Sequence, residues 1–364
     1  MSTVYDGERG EFVAEPAADT VPLLAVKDLR VEFRTNDGVA KVLNGVSYHV
    51  DAGETLAVLG ESGSGKSVTA QTIMGILDMP PAVVLGGEVL FHGEDLLSAK
   101  PARRMQVRGE GIAMIFQDAL SALNPVFTVG FQIAEQLRVR RGLSRAEARK
   151  GAIDLLDLVR IPHAKQRVRS YPHEFSGGMR QRAMIAMSLA LDPELLIADE
   201  PTTALDVTVQ AQIMDLLRDI QRERDMGLIL ITHDLGVVAE VADRIAVMYA
   251  GRIVEQADVY ALFRGPAHPY TEALLQSLPR LDLKGQDLKA IKGLPPSLTR
   301  IPPGCPFHPR CPRAVDRCHQ EVPDFHPLPG DRHSACHFAH EMLVSGYPGS
   351  NPDKHSRGLS RGDA

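Results

Sequence analysis

The sequence predicts an α/β protein with a mostly parallel sheet, a helical insertion and a small cysteine-rich C-terminal extension. Short apolar runs such as "ETLAVLG", "ELLIADEP" and "GLILITHD" are typical of buried strands, and helix-like segments separate them. Strands that alternate with helices favour a parallel sheet. From about residue 124 to 190 the apolar spacing is helical throughout, and all four cysteines lie between 305 and 336. These three observations predict the fold class.

The same observations divide the chain into segments. Both ends of the chain are polar and lack hydrophobic periodicity, so we expect them to be disordered. Beyond about Pro279 the sequence becomes rich in proline, cysteine and histidine, which indicates a boundary. The predicted segments are a tail at 1–22, a main domain at 23–275 with its helical part at 124–190, a cysteine-rich extension at 276–345, and a tail at 346–364.

The first half of the main domain is expected to contain mostly strands. "LLAVKDLRVEF" and "VLNGVSYHV" are predicted strands separated by the turn-forming "RTNDG". "ETLAVLG" is a predicted buried strand, and "KSVTAQTIMGIL" is the helix that follows it. "GGEVLFHGEDL" predicts a short strand with a turn, and "GIAMIFQD" predicts a buried strand ending at Gln117.

The second half begins with helices and returns to strands. "VGFQIAEQLRVRRG", "SRAEARKGAIDLLDLVRI" and "GGMRQRAMIAMSLAL" have helical spacing, and "SRAE" has the pattern of a capping box. "ELLIADEP" and "GLILITHD" are predicted strands joined by the helix "TVQAQIMDLLRDIQRERD". "RIAVMYAGRIVEQA" predicts a hairpin that turns at Ala250 and Gly251.

Composition and charge bound the function. The 364 residues include 40 Lys and Arg against 46 Asp and Glu, a net charge of −6, which provides no global reason to expect a nucleic-acid partner. No apolar run approaches the roughly 20 residues that span a bilayer. The acidic N-terminus lacks the basic start and apolar stretch of a secretory signal. We therefore expect a cytosolic protein, which leaves docking on a membrane protein open.

The segment "GESGSGKS", residues 60–67, fits the pattern G-x-x-x-x-G-K-[ST] between a predicted strand and helix. Gly63 and Gly65 let the backbone turn so that successive N–H groups and the helix N-terminus point at one anion. Lys66 can reach the β- and γ-phosphates, and the Ser67 hydroxyl can bind Mg²⁺. A tight turn is the alternative, but it does not require all four specified positions. The predicted ATP-binding residues here are Gly60, Ser62, Gly63, Gly65, Lys66 and Ser67.

Two acids, Asp199 and Glu200, follow the apolar run "LLIA". In open parallel sheets ligands bind at the carboxyl ends of the strands. Asp199 is expected to hold Mg²⁺, directly or through water, and Glu200 to act as the general base on the attacking water. A solvated helix cap is the alternative role for two such acids.

The segment "FSGGMRQR" places Ser176, Gly177 and Gly178 before a long helix, about 110 residues after the first glycine-rich loop. This is a second possible anion-binding helix start. Because one ATP needs only one such cradle, the second is expected to serve an ATP bound on a partner subunit. S-G-G by itself is a common loop.

With these motifs in this order, residues 23–270 resemble the nucleotide-binding subunit of an ATP-binding cassette (ABC) transporter. The resemblance implies an ABC-type nucleotide-binding domain with a RecA-like parallel sheet, an N-terminal β-subdomain and a helical subdomain. Each single residue also has a structural alternative to a functional role. Gln117 could cap the end of a strand, His233 could be a histidine at the edge of the core, and Phe33 could pack within the sheet.

The same resemblance implies roles for single residues. Gln117 matches the glutamine that senses the γ-phosphate and Mg²⁺, and residues 176–178 match the signature sequence. Asp206 ends "TTALD", which matches the loop at the dimer interface. His233 matches the switch histidine, and Phe33 the aromatic ring that stacks on adenine. The implied catalytic residues are Glu200, His233 and Gln117, and the implied Mg²⁺ ligands are Ser67, Gln117 and Asp199.

The cysteines form the pattern C-x5-C-x6-C-x17-C at Cys305, Cys311, Cys318 and Cys336. Four thiolates suit a tetrahedral Zn²⁺ or a [4Fe–4S] cluster. The spacing differs from the paired C-x2-C arrangement of many zinc sites, and free or disulfide-bonded cysteines are the alternative.

"CPFHPRCPRA", "FQDALSALNP" and "HPYTEALLQSLP" resemble the ATP-binding subunits of oligopeptide/dipeptide ABC importers. That resemblance implies ATP hydrolysis coupled to peptide import. The implied cofactors are ATP, Mg²⁺ and, as in some members, a [4Fe–4S] cluster at the cysteines, with Zn²⁺ as the alternative. Its implied partners are a second ATP-binding subunit in a heterodimer, two transmembrane permeases and an extracytoplasmic peptide-binding protein, with no nucleic acid. The implied location is the cytoplasmic face of the membrane.

Three alternatives stay open at this point. Related importers carry nickel or another small solute. A soluble ABC ATPase acting on ribosomes or DNA is disfavoured because the chain has one cassette and no coiled-coil insertion. In the third alternative the cysteine module is a non-catalytic redox or metal sensor that gates the ATPase, a role compatible with transport.

Overall fold

The computed structural model describes residues 3–6, 11–14, 21–36, 38–203, 205–277 and 291–344. The strands are β1 (Thr3–Asp6), β2 (Glu11–Ala14), β3 (Leu24–Thr35), β4 (Gly38–Val50), β5 (Thr55–Leu59), β6 (Ala82–Phe91), β7 (Glu94–Asp95), β8 (Ile112–Ile115), β9 (Leu195–Asp199), β10 (Gly227–Thr232), β11 (Arg244–Tyr249), β12 (Arg252–Asp258), β13 (His326–Leu328) and β14 (Arg332–Ser334). The helices are α1 (Lys66–Met74), α2 (Pro101–Glu110), α3 (Ala119–Ala122), α4 (Val129–Arg141), α5 (Arg145–Leu158), α6 (Ala164–Arg167), α7 (Gly177–Ser188), α8 (Val207–Arg224), α9 (Leu235–Val241), α10 (Val259–Arg264), α11 (Pro269–Gln276), α12 (Asp316–Gln320) and α13 (Ala339–Val344).

The main sheet has eight strands in the order β13-β14-β12-β11-β5-β10-β9-β8. Strands β11, β5, β10, β9 and β8 are parallel, and β12, β14 and β13 continue the sheet in antiparallel pairing. A separate antiparallel sheet has the order β4-β3-β6-β7. The predicted α/β class, with its parallel core and N-terminal β-subdomain, is confirmed.

The central strands are buried on both faces, which explains their continuous apolar sequences. Along β9, Leu195 and Ile197 pack in the core shared with the antiparallel sheet, whereas Leu196 and Ala198 pack against the helical part. This alternation is the two-residue period of a strand. Both cores therefore hold β9 in place, and its last residue, Asp199, lies at the carboxyl end of this interior strand.

The helical part follows the sequence prediction closely. Helices α4, α5 and α7 pack together and against β8–β10. The predicted capping box at the start of α5 is confirmed: the Glu147 N–H donates to Ser144 Oγ (3.3 Å), and the Ser144 N–H donates to Glu147 Oε2 (2.9 Å). Helix α4 is followed by Gly142, whose positive φ of 68° suits a C-terminal cap.

The hairpin predicted at Ala250 and Gly251 is also present. Its two turn residues have φ angles of 48° and 77°, which suit the twist of a two-residue hairpin. Strand β12 then meets β14, where Glu255 pairs with Ser334. The cysteine-rich extension thus continues the main sheet, although the sequence analysis placed it in a segment of its own from residue 276.

Several regions differ from the sequence analysis or lie outside the structure. Helices α2, α9, α10 and α11 were not predicted. In the tail predicted to be disordered at 1–22, β1 and β2 pair as antiparallel strands, while the other residues up to 20 lie outside the described part. The tail predicted at 346–364 lies wholly outside it. Within the described residues, no helix combines the length and apolar character needed to cross a membrane.

Candidate functional site

The glycine-rich loop connects the end of β5 to the start of α1, as predicted. Gly63 and Gly65 have φ angles of 79° and 110°, a region that L side chains rarely adopt. A Cβ at Gly65 would lie 2.9 Å from the Val42 carbonyl oxygen and 2.8 Å from Leu43 Cδ2. The loop is therefore pressed against β4, and glycine is required there both by conformation and by space.

Lys66 is folded over this loop. Its Nζ donates to the carbonyl oxygens of Gly60 (2.7 Å) and Glu61 (3.1 Å), and only 6% of the residue is exposed. Burial lowers the pKa of Lys66, and the neighbouring carboxylates act in the opposite direction. The ammonium group is thus a buried cation with the carboxylates of Glu200, Asp199 and Glu61 nearby.

The loop meets the end of β9 through two oxygen groups. Ser67 Oγ donates to Asp199 Oδ1 over 3.1 Å. Asp199 is buried, and this burial raises the pKa of its carboxyl group, while the Ser67 hydrogen bond lowers it. A hydroxyl and a carboxylate oxygen are donors that suit Mg²⁺. The two residues predicted to hold that ion therefore lie in contact.

Glu200 follows with a positive φ of 47°, an uncommon conformation for a residue with a side chain. Its backbone N–H donates to the Ile231 carbonyl (2.8 Å), which ties the turn to β10. Its carboxylate accepts hydrogen bonds from Gln117 Nε2 (2.8 Å) and Thr203 Oγ1 (2.9 Å). His233 Nδ1 lies 3.5 Å from Oε1. The three residues predicted to be catalytic thus meet at one carboxylate.

The predicted signature residues lie apart, at the start of α7. Ser176 is exposed and caps the helix, with its Oγ accepting the Met179 N–H at 3.4 Å. A Cβ on Gly178 would lie 2.7 Å from Val209 Cγ1, so glycine permits close packing on α8. Asp206 is exposed and caps α8 by accepting the Val209 N–H at 2.9 Å. These residues bond to their own helices.

Phe33 is half-buried on β3 and packs against the core below the antiparallel sheet. Its cross-strand neighbours are Ala40 and Ala82. The structure thus places the ring among ordinary sheet contacts, and its predicted stacking on adenine stays a prediction.

The sequence analysis missed the side chains of Glu61, Arg310 and Tyr270, which hold the phosphate loop. Glu61 forms an ion pair with Arg310 of the extension, and its backbone N–H donates to the Tyr270 hydroxyl (2.9 Å). Thr203, which hydrogen-bonds Glu200, was also not predicted. No spacing in one sequence points to a contact between residues 249 positions apart.

The four predicted cysteines line one small cavity of about 30 Å³ in the extension. All four are free thiols. Burial raises the pKa of Cys305 to about 11 and that of Cys336 to about 12, and repulsion from the neighbouring cysteines adds to both shifts. In the described part of the chain, however, no three His, Cys, Asp or Glu side chains converge closely enough to hold a metal ion. The arrangement thus does not itself support the predicted cluster.

Comparison with known proteins agrees with this geometry. A family model for ABC transporters matches residues 43–203, and one for the C-terminal region of oligopeptide/dipeptide transporters matches residues 254–318. The oligopeptide transport ATP-binding protein OppD of Bacillus subtilis (strain 168) is 55% identical over 286 residues, which cover 78% of this chain and 80% of OppD. The chain belongs to the ABC transporter family.

Two further similarities refine the picture of this ABC ATPase. The dipeptide transport ATP-binding protein DppD of the same organism is 52% identical over 301 residues, 83% of this chain and 90% of DppD. The dimeric, post-hydrolysis structure of the cassette MJ0796 bound to ADP and Pi is 26% identical, with a TM-score of 0.58. The match covers 65% of this chain and 98% of the MJ0796 chain. The second family model spans Cys305, Cys311 and Cys318 but ends before Cys336.

Proposed function

We propose that this ABC ATPase hydrolyses ATP to drive the import of di- or oligopeptides across the cytoplasmic membrane. The observation that carries the proposal is the carboxylate of Glu200, held by Gln117 and Thr203 beside the Ser67–Asp199 contact. The names of OppD and DppD support peptides as cargo. Import of nickel or another small solute is the alternative, and a soluble ABC ATPase is a more distant one.

The residues of the loop divide the work of binding ATP. Backbone N–H groups from Gly60 to Ser67 would bind the phosphates, and Lys66 would exchange its two carbonyl contacts for the β- and γ-phosphates. Mg²⁺ would neutralise charge that develops on the phosphates. Ser67 and Asp199, with Gln117, are the residues that would hold it.

Glu200 is suited to accept the proton of the attacking water. Its two oxygens are oriented from three sides, by Gln117, Thr203 and His233, so the carboxylate has little freedom to turn away. A general base lowers the activation barrier of hydrolysis only if it stays correctly oriented toward the attacking water. His233 is two-thirds exposed, which leaves its ring free to reach a γ-phosphate.

Ser176, Gly177, Gly178 and Asp206 would act on an ATP bound to a second ATP-binding subunit. Ser176 and Gly177 are exposed at the start of α7, and Asp206 is exposed at the start of α8, where it caps its own helix. The exposed N-terminus of α7 can therefore bind an anion. The MJ0796 cassette is a dimer in its structure with ADP and Pi, which supports the pairing of two cassettes. We propose a heterodimer, with adenine stacked on Phe33.

Permease docking is supported by an apolar surface near Gln117. Phe116, Val126, Phe127 and Phe131 are all exposed, and the rings of Phe127 and Phe131 stack at 5.0 Å. Exposed apolar groups of this kind mark interaction sites. We propose that two permeases dock here and on the partner ATPase at the cytoplasmic face of the membrane, and that an extracytoplasmic peptide-binding protein delivers the cargo.

Replacing the base tests the catalytic proposal. Glu200→Gln should lower ATP turnover by roughly 10²- to 10⁴-fold while ATP binding is kept, because only the proton acceptor is lost. Phosphate release and nucleotide binding measure the two effects. Glu223→Gln, on the exposed side of α8, is the matched control and should be unchanged. Full turnover by Glu200→Gln would remove Glu200 as the base.

The transport proposal is tested by purifying the tagged chain from membranes. We expect two permeases and a distinct second ATP-binding subunit to co-purify. The purified assembly, reconstituted in vesicles with its binding protein, should accumulate labelled di- or oligopeptides in an ATP-dependent manner. Uptake of Ni²⁺ without peptide uptake would favour the alternative cargo, and the absence of permeases would contradict transport.

We also propose that the four cysteines hold a [4Fe–4S] cluster. The proposal is supported by four free cysteines that line one cavity, since cysteine thiolates are the ligands of such clusters. The cavity has room for about one or two water molecules. Because a single ion needs less space than a cluster, Zn²⁺ is the second candidate. In either case the sulfurs would have to move to reach the metal.

Metal analysis after anaerobic purification decides between a [4Fe–4S] cluster and Zn²⁺. A cluster predicts iron, acid-labile sulfide and a broad visible absorbance, all lost in Cys311→Ser. Zinc without visible absorbance would favour the second candidate. A chain that holds neither metal would contradict the proposal.

A further inference from the structure

We propose that Arg310, in the cysteine-rich extension, is a positioning residue for the phosphate loop. Its guanidinium forms two parallel hydrogen bonds with the Glu61 carboxylate, Nη1 to Oε2 at 2.5 Å and Nη2 to Oε1 at 2.9 Å. Glu61 lies inside the loop, one residue after Gly60. The inference rests on the proposed role of that loop in binding ATP, and it adds a residue from outside the cassette.

The pair has the features of a strong ion pair. The Arg310 side chain is 4% exposed and that of Glu61 is 26% exposed, so water screens their attraction little. Planar, two-fold contacts between arginine and a carboxylate are stronger and more directional than single ones. Arg310 is itself held from behind, because its Nε donates to the Lys292 carbonyl (3.2 Å) and its guanidinium lies 5.8 Å above the Tyr249 ring.

Glu61 connects Arg310 to the residue that binds phosphate. The Glu61 carbonyl accepts a hydrogen bond from Lys66 Nζ (3.1 Å), and its N–H donates to the Tyr270 hydroxyl (2.9 Å). The residue is therefore held at its side chain, its N–H and its C=O. Release of the side chain would let this end of the loop move, and the N–H groups of the loop would lose their preorganised direction.

The position of Arg310 brings the cysteine cavity into this linkage. Arg310 ends a short 3₁₀ turn, His308–Arg310, which lies between Cys305 and Cys311. Phe307, also in the cavity wall, packs against Tyr249 at 5.3 Å and Tyr270 at 5.4 Å between ring centroids. Phe307 thus links the cavity to Tyr270, whose hydroxyl accepts the Glu61 N–H of the loop. The extension contributes to the ATP site by fixing the shape of the loop.

A positioning role predicts a specific kinetic result. In the full-length chain, Arg310→Ala should weaken equilibrium binding of a fluorescent ATP analogue by about tenfold and raise KM for ATP by a similar factor. The kcat at saturating ATP should change little, because Glu200 and its partners are untouched. Glu61→Ala should have the same effect, since it keeps the backbone carbonyl that Lys66 contacts.

The double variant and two controls make the test decisive. Arg310→Ala with Glu61→Ala should bind ATP as weakly as either single variant, because both changes remove the same contact. Arg310→Lys should recover part of the affinity. Arg317→Ala, which removes an ion pair of the extension in which both side chains are 58% exposed, should match the unaltered chain.

The outcomes separate this inference from others. Additive losses, or ATP affinity unchanged in Arg310→Ala, would overturn it. If Arg310→Ala fails to fold, as thermal unfolding would show, Glu61→Gln tests the same contact with minimal change in shape, and unchanged affinity there also overturns the inference. ATP binding is measured without transport, so a failure of the peptide proposal would leave this result standing.

Discussion

His268 shows how burial fixes the protonation state of a single residue. It caps α11 by accepting the Tyr270 N–H at ring Nδ1 (3.0 Å), and it is 2% exposed. Burial lowers its pKa to about 3, against which a backbone hydrogen bond to Ala335 acts weakly. The ring is therefore neutral in the folded protein over the whole physiological range, although the sequence analysis had no reason to single it out.

This neutrality predicts acid sensitivity. Between an unfolded pKa of about 6.5 and the folded value, the unfolded chain binds a proton that the folded chain does not, so stability falls as pH falls, by up to about 1.4 kcal/mol per unit. His268→Asn keeps a capping oxygen but cannot titrate, so its stability should depend less on pH. Urea unfolding between about pH 7.5 and 5 measures both slopes, with the exposed His326→Asn as control. Parallel slopes for the two variants would contradict the assignment.

At the scale of single residues, the positions of the motif residues in the site were largely predictable from the sequence. Lys66, Ser67, Asp199 and Glu200 meet as expected because each motif sets its residues within a few positions of one strand end. Thr203 lies within "TTALD", but its hydrogen bond to Glu200 was missed, because that motif predicted an interface loop and no contact with the base.

At the scale of elements, the joining of β14 to β12 decides where the extension lies. Arg332 on β14 donates to Glu255 on β12 (3.0 Å), and Ser334 Oγ donates to the Ala267 carbonyl (2.9 Å). The Glu255 carboxylate also accepts the N–H groups of Ala267 and His268 (2.7 and 3.0 Å). The pKa of the Glu255 carboxyl group is raised by its burial, and the contacts with Ala267 and Arg332 oppose this rise.

Breaking this ion pair should loosen the extension. The Arg332 and Glu255 side chains are 8% and 0% exposed, so Arg332→Met would leave a buried carboxylate without its cation, at a cost of roughly 3–5 kcal/mol in the free energy of unfolding. Chemical denaturation measures it. Arg317→Ala removes an exposed pair and should cost less than about 1 kcal/mol. Equal losses in the two variants would show that burial of the pair is unimportant.

Local elements were predictable because their signals are local. The capping box at Ser144 and the hairpin at Ala250 each involve residues a few positions apart. The strands β13 and β14 have three residues each, too few for a hydrophobic period to be seen, and only pairing with β12 makes them strands.

At the scale of the molecule, the predicted ATP-contacting residues fall into two groups that do not meet by hydrogen bonds in the described chain. One group surrounds Lys66 and Glu200, and the other caps α7 and α8 through Ser176 and Asp206. Under the proposed function, the second group acts on an ATP bound to a second subunit, which makes the shared site testable.

ATP should therefore drive association of subunits. With Glu200→Gln to prevent hydrolysis, the chain mixed with its partner ATPase should form a two-cassette particle only when ATP is present. Adding Ser176→Arg should abolish the particle by steric and charge conflict at the helix start, while ATP binding to the separate chain stays the same. Light scattering measures formation of the particle, and a nucleotide-binding assay measures ATP binding by the separate chain. A particle that forms equally well with Ser176→Arg would contradict a site shared between subunits.

The sequence by itself determined the fold class, the phosphate loop, the acids after β9 and the helix caps, because each depends on the order and spacing of neighbouring residues. Only the tertiary structure decided that the extension joins the main sheet, that the four cysteines share a cavity, and that Arg310 holds Glu61 across 249 positions. Such contacts depend on how distant segments pack, and packing free energy is shared over whole cores and is not encoded in any short pattern.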